Sequence, residues 1–165
     1  MANTPNKPLR TQFVYRRCHP GDYQALRFLV RESWPVDMRD QVDDILKDAL
    51  THPDSTAIFG CFANEEAVAY AQVSMRQEYT EGASTYPIAY LDALYIRQNL
   101  RSLGVGQRLV DLVTTYVNSL GIEELAADCL SSDLQQFELY LQSGFEEVSQ
   151  MTHFVKSIPL KMRRS

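Results

Sequence analysis

The segment Arg101-Ser-Leu-Gly104-Val-Gly106 has residue types and a spacing that can hold phosphate oxygens. Its glycines lie at the predicted start of a helix, where the first backbone N–H groups have no intrahelical acceptor and no side chain shields them. Such amides form a seat for an anion, and Arg101 can add a charge-assisted contact. The alternative interpretation is a plain helix entry, in which the glycines serve only the turn. The segment lacks the Lys-Ser/Thr ending of a Walker P-loop and the full dinucleotide fingerprint.

The chain on either side of this segment predicts a buried strand and an amphipathic helix. Residues Ile88 to Ile96 form a nearly continuous apolar run, which is typical of a buried strand. Further on, apolar residues repeat at the three-to-four spacing of a helix with one buried face, namely Val105, Leu109, Leu112, Val113, Tyr116, Val117 and Leu120. The anion seat is therefore predicted between a strand and a helix.

Two aspartates are candidates for catalysis or for binding a cation. Asp92 is the only charged residue between Ile88 and Ile96, and a carboxylate on a buried strand is costly unless it is paired or lines a polar cleft. It is either a site residue or a structural acid bonded to the backbone or to an arginine. Asp128 ends a short apolar strand, where parallel strands splay and ligands bind, or else it caps the following turn.

Three aromatic residues are candidates for contact with a ligand. Trp34, the sole tryptophan, ends a predicted helix and either packs in the core or stacks on a sugar or a cation. Tyr79 lies in a polar loop beside Glu78 and Glu81, a position compatible with a solvated loop edge or with a cation contact. Tyr140 lies on the apolar face of its predicted helix, where packing alone explains it, although its hydroxyl still needs a hydrogen-bond partner.

The whole chain has the composition of a single globular domain. It has 165 residues, of which 45% are hydrophobic, and a net charge of −5 from 16 basic and 21 acidic side chains. This charge argues against nucleic-acid binding and is compatible with a cationic small substrate. Widely spaced cysteines and histidines without ligand spacing predict reduced thiols, a cytoplasmic protein and no metal. No apolar run approaches membrane-spanning length and no signal-peptide core is present, so no membrane contact is expected.

Periodicity and breakers divide the chain into a flexible N-terminus (1–10), one domain (11–158) and a C-terminal tail (159–165). Asp22 is expected to cap the first helix, and the stretch Ser131-Ser132-Asp133 is expected to supply the cap of the last. The predicted elements are a strand at 12–17, helices at 22–34 and 38–50, strands at 55–62 and 67–77 joined by a turn at 63–66, the strand at 88–96, the helix from 105, a strand at 124–129, a helix ending at 144 and one or two strands within 146–156. This order predicts an α/β (α+β) fold, a mixed and mostly antiparallel sheet of roughly six or seven strands flanked by about four helices.

The order strand, Arg-x-x-Gly-x-Gly, amphipathic helix resembles the acyl-CoA pyrophosphate motif of the GCN5-related N-acetyltransferase (GNAT) superfamily. A second stretch, Tyr140 to Phe145, resembles the Tyr-x-x-x-Gly-Phe helix end of the same superfamily, in the family's order and separation. The resemblance implies the GNAT fold and acetyl-CoA as co-substrate, with no metal. The coenzyme-binding residues that it implies are Leu94, Tyr95, Ile96, Arg101, Ser102, Leu103, Gly104, Val105, Gly106 and Gln107.

From about Phe13 to Lys156 the chain is similar to one branch of the superfamily, the aminoglycoside 6′-N-acetyltransferases of antibiotic resistance. The stretches that carry this resemblance are Leu29–Pro35, Ser74–Tyr79, Leu91–Ile96 and Ala127–Cys129. There are departures: many relatives have a longer Glu at Asp92, a Gly-His type of continuation at Val36-Asp37, and a Pro at Gln98. These departures affect the substrate more than the chemistry.

The resemblance implies a role for each candidate side chain. Trp34 and Tyr79 would line the sugar site, and Asp92 and Asp128 would hold ammonium groups of the drug. Tyr140 would stand near the thioester sulfur. We therefore expect direct transfer of the acetyl group to an amine, with one aspartate as the base and Tyr140 as the acid for the leaving thiolate.

Other functions and partners stay open on the sequence. An acetyltransferase of this kind can act instead on a polyamine, an amino-sugar metabolite or a peptide N-terminus. A non-catalytic acyl-CoA-binding protein is the alternative outside enzymes, although such a protein does not need Tyr140 and both aspartates. Members of the family often dimerise, and the segment from Val148 to Ile158 is a candidate for pairing between two subunits.

Overall fold

A mixed five-stranded sheet organises the molecule, with its strands side by side in chain order. The structure, a computed structural model, describes residues 12–158, so the predicted N-terminal segment 1–10 and the tail 159–165 lie outside the described residues. The first three strand pairings are antiparallel and the fourth is parallel. The strands are β1 (Phe13–Arg17), β2 (Thr56–Ala63), β3 (Glu66–Arg76), β4 (Ile88–Ile96) and β5 (Leu125–Ala127).

The prediction of six or seven strands is wrong for the described part of the chain. Residues 146–156 contain no strand, and the sheet ends at β5. A strand forms only where a neighbour completes its hydrogen-bond ladder, and within residues 12–158 this segment has no such neighbour. Its apolar side chains therefore stay in solvent, with Phe154 91% and Val155 96% exposed.

Within residues 12–158, four α-helices cover the sheet. They are α1 (Tyr23–Ser33), α2 (Arg39–Thr51), α3 (Val105–Ser119) and α4 (Leu134–Gln142). Asp133 caps α4 as predicted, because its Oδ1 accepts from the N–H of Gln136 at 3.0 Å. Asp22 precedes α1 but does not cap it; its carboxylate accepts two bonds from Arg16 and one from the N–H of His19. No helix in the described range is long and apolar enough to cross a membrane.

The sheet is buried on both faces by two apolar cores. Helix α3 packs on one face through residues spaced at helical intervals, and Leu109 and Val113 are fully buried there. Helices α1 and α2 pack on the other face, where Leu26, Leu46 and Tyr70 are buried. Burial from both sides explains why the central strands read as nearly continuous apolar runs. The same burial holds the first half of β4 in place, whereas its C-terminal end leaves the core.

Candidate functional site

Strands β4 and β5 separate after a short parallel pairing, and a cavity lies beside the part of β4 that continues past β5. The last of the paired residues are Leu91 on β4 and Ala127 on β5. Beyond this pair β4 continues to Ile96, while the chain after β5 turns into α4. The cavity has a volume of about 460 Å³ and is called the slot below. Its lining comes from β4, from the start of α3 and from α4, and includes Leu94, Ile96, Arg101, Ser102, Gly104, Gly106 and Gln107.

Asp92 and Asp128 are the first residues beyond the last β4–β5 pair, one on each chain segment. Asp92 is also an extra residue in β4, since its neighbours Leu91 and Ala93 pair with consecutive residues of β3. A bulge of this kind bends a strand and redirects a side chain. The structure therefore brings both aspartates to the point where the strands separate.

The backbone of β4 directs hydrogen-bonding groups into the slot. The N–H of Arg97 donates to the carbonyl of Val68 on β3, whereas the carbonyl of Ile96 accepts from the side chain of Arg101 on the opposite side, both at 3.2 Å. Backbone groups of successive strand residues point to opposite sides. Leu94 and Ile96 thus face away from β3, toward the slot, and a bound extended chain can pair with them.

The start of α3 presents backbone N–H groups to the same cavity. Gly104 precedes the helix with a φ of 77°, and no side chain caps this end. The first N–H groups of an α-helix have no intrahelical acceptor. Among residues 12–158, no loop carbonyl accepts from the N–H of Val105, Gly106 or Gln107 either. This is the arrangement that an anion seat requires.

Arg101 and Gly106 connect this helix start to its neighbours. The guanidinium of Arg101 reaches across the slot, with its Nη1 3.4 Å from Oε1 of Gln135 on α4. A Cβ atom at Gly106 would lie only 2.7 Å from Cδ2 of Leu139 and 3.2 Å from Cδ1 of Ile96. Glycine here therefore lets α3, α4 and β4 meet closely, and a larger residue would push the ends of the Leu139 and Ile96 side chains aside.

Tyr140 is buried on α4 and keeps its hydroxyl proton available. Nε2 of Gln136 donates to the Tyr140 oxygen at 2.7 Å, so this bond does not use the phenolic proton. The ring packs on Phe145, with centroids 5.1 Å apart. Burial raises the pKa of Tyr140 to about 12, and the nearby Asp128 acts in the same direction. The phenol is therefore a hydrogen-bond donor at neutral pH.

Arg76 and Tyr90, which were not predicted as site residues, connect the two aspartates. These four residues are called the Arg76 cluster. Nη2 of Arg76 lies 2.6 Å from Oδ1 of Asp92, and its Cζ lies 3.4 Å from the centre of the Tyr90 ring. The hydroxyl of Tyr90 donates to Oδ1 of Asp128 at 2.6 Å. Burial and this hydrogen bond raise the pKa of Tyr90 to about 12. One indication of this arginine was present in the sequence, namely the alternative interpretation of Asp92 as an acid paired with an arginine.

Other predicted coenzyme-binding side chains lie outside the slot. Tyr95 faces the α1–α2 side, where its hydroxyl donates to Glu32 at 3.0 Å. Val105 is buried in the core against the sheet, and the side chain of Leu103 is largely exposed. Any contact of these three residues with a bound molecule would come from their backbone.

The two predicted sugar-site aromatics are apart from the Arg76 cluster. Trp34 is half-buried beside the core under α1 and α2, and its carbonyl accepts from Nε of Arg39. Tyr79 is 77% exposed, and its hydroxyl donates to Oε2 of Glu81 at 2.7 Å. The structure thus leaves Tyr79 free to meet a ligand from solvent but gives it no contact with the aspartates.

The loop that carries Tyr79 is anchored by a single carboxylate. Glu124, just before β5, accepts from the backbone N–H groups of Ser84 and Thr85 at 2.8 Å each and from both of their hydroxyls. These bonds, first among them the one from the Ser84 hydroxyl, lower the pKa of Glu124 to about 2. One end of the loop is thereby tied to the strand that leads to Asp128. Among residues 12–158, no cluster of His, Cys, Asp and Glu is arranged to hold a metal ion.

Comparison with known proteins adds sequence relatives that span most of the chain. A family model described as "Acetyltransferase (GNAT) family" matches residues 16–145. Aminoglycoside N(6′)-acetyltransferase type 1 of Stenotrophomonas maltophilia is 29% identical over 139 residues, which cover 84% of this chain and 90% of the relative. The protein of the same name from Serratia marcescens is 26% identical, with 86% and 97% covered.

Solved structures with the same fold extend this likeness. AAC(6′)-Iy in complex with the bisubstrate analogue CoA-S-monomethyl-acetylneamine superposes with a TM-score of 0.82 at 22% identity, covering 90% of this chain and 100% of that chain. The apo aminoglycoside 6′-N-acetyltransferase AAC(6′)-IG from Acinetobacter haemolyticus superposes with a TM-score of 0.76 at 18% identity, covering 88% and 99%. At these identities the likeness shows a shared fold.

Proposed function

Because the chain belongs to the acetyltransferase (GNAT) family, we propose that it transfers the acetyl group of acetyl-CoA directly to the 6′-amino group of aminoglycosides. The observation that carries the proposal is the slot with its unpaired helix amides, together with the two aspartates that follow the last β4–β5 pair. Relatives named aminoglycoside N(6′)-acetyltransferase, which match over four fifths of the chain, support the substrate class. We further propose that residues 11–158 form the one acetyltransferase domain.

The slot has the donors that acetyl-CoA needs. The N–H groups from Gly104 to Gln107 and the guanidinium of Arg101 would hold the pyrophosphate. The outward backbone groups of Leu94 and Ile96 would pair with the amides of the pantetheine arm and donate to the thioester carbonyl. Ser102, Leu103 and Tyr95 would contribute through their backbone. The proposed coenzyme site is therefore built mainly from backbone, with Arg101 as its charge.

The aspartates would bind the amine and remove its proton. An aminoglycoside amine arrives as ammonium, and Asp128, which is exposed, can accept from it with the oxygen that Tyr90 does not use. The ammonium must lose a proton before its nitrogen can attack, and Asp128, directly or through water, is the candidate base. Asp92 is already paired with Arg76, so it supports this step through charge. When the C–N bond forms, the C–S bond breaks and the sulfur leaves as thiolate.

Tyr140 would stabilise that thiolate by hydrogen bonding. A phenol with a pKa of about 12 is a much weaker acid than a thiol, whose ordinary pKa is about 8.5. Complete proton transfer from Tyr140 to sulfur is therefore unfavourable. The base releases its proton to solvent, and the thiolate is protonated from solvent. The role of Tyr140 is that of a donor aimed at developing charge. Most of the remaining rate would come from orienting the two substrates.

The amine substrate is tested with a panel of acceptors. We expect the purified protein, given acetyl-CoA, to acetylate kanamycin-type and gentamicin-type drugs at the 6′ nitrogen and to leave a polyamine unmodified. Mass spectrometry locates the acetyl group. Asp128→Asn keeps an acceptor for Tyr90 but removes the base, so we expect kcat to fall roughly a hundredfold or more. Asp54→Asn makes the same change of charge in an exposed turn and should leave kcat unchanged.

Other outcomes of the panel would replace the proposal. Acetylation of the polyamine or of a peptide N-terminus in preference to the drugs would assign the enzyme another amine. Saturable binding of acetyl-CoA without transfer to any acceptor would identify a non-catalytic acyl-CoA-binding protein. Full activity in Asp128→Asn would exclude Asp128 as the base.

The phosphate seat is tested at Gly104. A Cβ at this position meets no other atom within 4 Å, so Gly104→Val places a side chain in the space before the helix amides at the cost of backbone strain at a φ of 77°. We expect the Kd for CoA, measured by calorimetry, to rise about tenfold or more, because charge-assisted contacts are lost. Gly121→Val is the matched control: its φ is 73° and its Cβ also meets open space. Equal affinities in the two variants would refute the seat.

The donor role of Tyr140 is tested by Tyr140→Phe, which keeps the ring packed on Phe145. We expect kcat to fall about a hundredfold, with the KM for acetyl-CoA nearly unchanged. Because the pKa of Tyr140 is raised to about 12, the hydroxyl stays protonated up to about pH 10. The alkaline side of the kcat profile should therefore be the same with and without it. Tyr116→Phe, on α3, is the control, and an unreduced kcat in Tyr140→Phe would contradict the role.

We also propose that two copies of the chain pair through the segment from Val148 to Ile158. Its apolar side chains are exposed, most of all Phe154 and Val155, and a second copy would bury them. Light scattering should give twice the chain mass for the unchanged protein, and Val155→Asp should reduce it to one chain mass. A single chain mass for the unchanged protein at all concentrations would rule out the dimer.

A further inference from the structure

The cation in the Arg76 cluster is the protein's own. The guanidinium of Arg76 is held from two sides, by the carboxylate of Asp92 at 2.6 Å and by the face of Tyr90 at 3.4 Å. Both members of the Arg76–Asp92 ion pair are partly shielded from water. The side chain of Asp92 is 22% exposed and that of Arg76 is 40% exposed. An arginine stacked on an aromatic ring and paired with a carboxylate has a defined position. It occupies Oδ1 of Asp92, where an ammonium group of a substrate would have to compete with it.

The cluster therefore presents less negative charge than its two aspartates suggest. Asp92 and Asp128 carry one negative charge each, and Arg76 cancels one of them. Tyr90 is neutral and donates to Asp128 without changing this count. The site thus has a net charge of −1, which matches one ammonium group at the point where the strands separate.

We propose that Arg76 is a specificity-determining residue that sets how many ammonium groups this site binds at once. It competes with the substrate for Asp92, so that the reacting amine is held by Asp128 alone and a second amine gains little there. This inference rests on the proposed function only in taking an amine as the substrate. Opening of the Arg76–Asp92 pair would add a second ammonium position, and the affinity for substrates with several amines would rise selectively.

The chemistry of the pair explains why a substrate does not simply displace the arginine. A guanidinium keeps its charge at every working pH and is weakly hydrated, so it competes well with an ammonium for a carboxylate. Its stacking on Tyr90 adds an attraction that depends on the ring and that a flexible ammonium does not reproduce as well. Tyr90 in turn orients Asp128, so the amine-binding carboxylate and the masked carboxylate are connected through one aromatic ring.

The experiment compares two probes on three variants. The probes are a kanamycin-type aminoglycoside, which carries several amines, and methyl 6-amino-6-deoxyglucoside, which carries a single amine. Their Kd values are measured by calorimetry with CoA in place of acetyl-CoA, so no turnover is needed. The variants are Arg76→Met, which keeps much of the stem and removes the charge, Arg76→Lys, which keeps the charge, and the double change Arg76→Met with Asp92→Asn, which restores the net charge of the site.

We expect Arg76→Met to lower the Kd of the aminoglycoside about fivefold relative to that of the single-amine sugar, the range of a partly exposed ion pair. The aminoglycoside Kd should also become more sensitive to salt. Arg76→Lys keeps the charge but not the planar stacking, so its ratio should fall between those of the unchanged protein and Arg76→Met. The double variant should return the ratio of the two Kd values to its original value. A purely structural role would not give this recovery, because the double variant loses both partners.

Several results would overturn the inference. They are an unchanged ratio in Arg76→Met, weaker binding of both probes by the same factor, or no recovery in the double variant. Binding of neither probe to the unchanged protein would also overturn it. The proposed function fails separately, if the unchanged protein binds these amines but transfers no acetyl group to an aminoglycoside.

Discussion

The separation of β4 from β5 is the constraint on which the rest of the site depends. Two neighbouring strands of a sheet normally stay paired, because unpaired backbone groups inside a fold are costly. Here the parallel ladder ends after Leu91 and Ala127, and the unpaired edge of β4 is left facing a cavity. Another extended chain lying along that edge can pair with it. A fold that opens its own sheet in this way has a built-in place for a linear ligand.

The same opening determines where the remaining parts of the site lie. Helix α4 follows β5 away from the sheet and closes the far side of the slot, which brings Tyr140 near Asp128. Gly106 lets α3 approach both Leu139 and Ile96, so the position of the helix amides and the position of α4 depend on one contact. The proposed coenzyme seat and the proposed thiolate donor are therefore placed by a single packing arrangement, although they are far apart in sequence.

The elements that are defined by local sequence patterns were predicted correctly. Strand β4 has the predicted bounds and α3 begins at Val105, since each is defined by a run or period of apolar residues and by the glycines between them. The hairpin turn between β2 and β3 was also predicted, from its composition. In the structure Asn64 and Glu65 adopt the positive φ that such a turn requires. The family resemblance supplied the order of the functional elements. These features depend on residues close together in the chain.

What the sequence did not predict depends on partners distant in the chain. The bulge at Asp92 results from the pairing of β3 with β4, and the sequence of β4 alone does not predict it. Arg76 and Tyr90 became visible only when their two strands were side by side. The closing strands expected within 146–156 are absent, because a strand also needs a neighbour. Asp22 looked like a helix cap, yet a nearby arginine competes successfully for its carboxylate.

Glu124 determines how the loop that carries Tyr79 responds to acid. Its carboxylate has a pKa lowered to about 2, because four donors from Ser84 and Thr85 surround it. Mild acidification therefore leaves the carboxylate ionised and these four bonds in place. The end of the loop that follows Tyr79 keeps its attachment to the residue before β5 over that pH range.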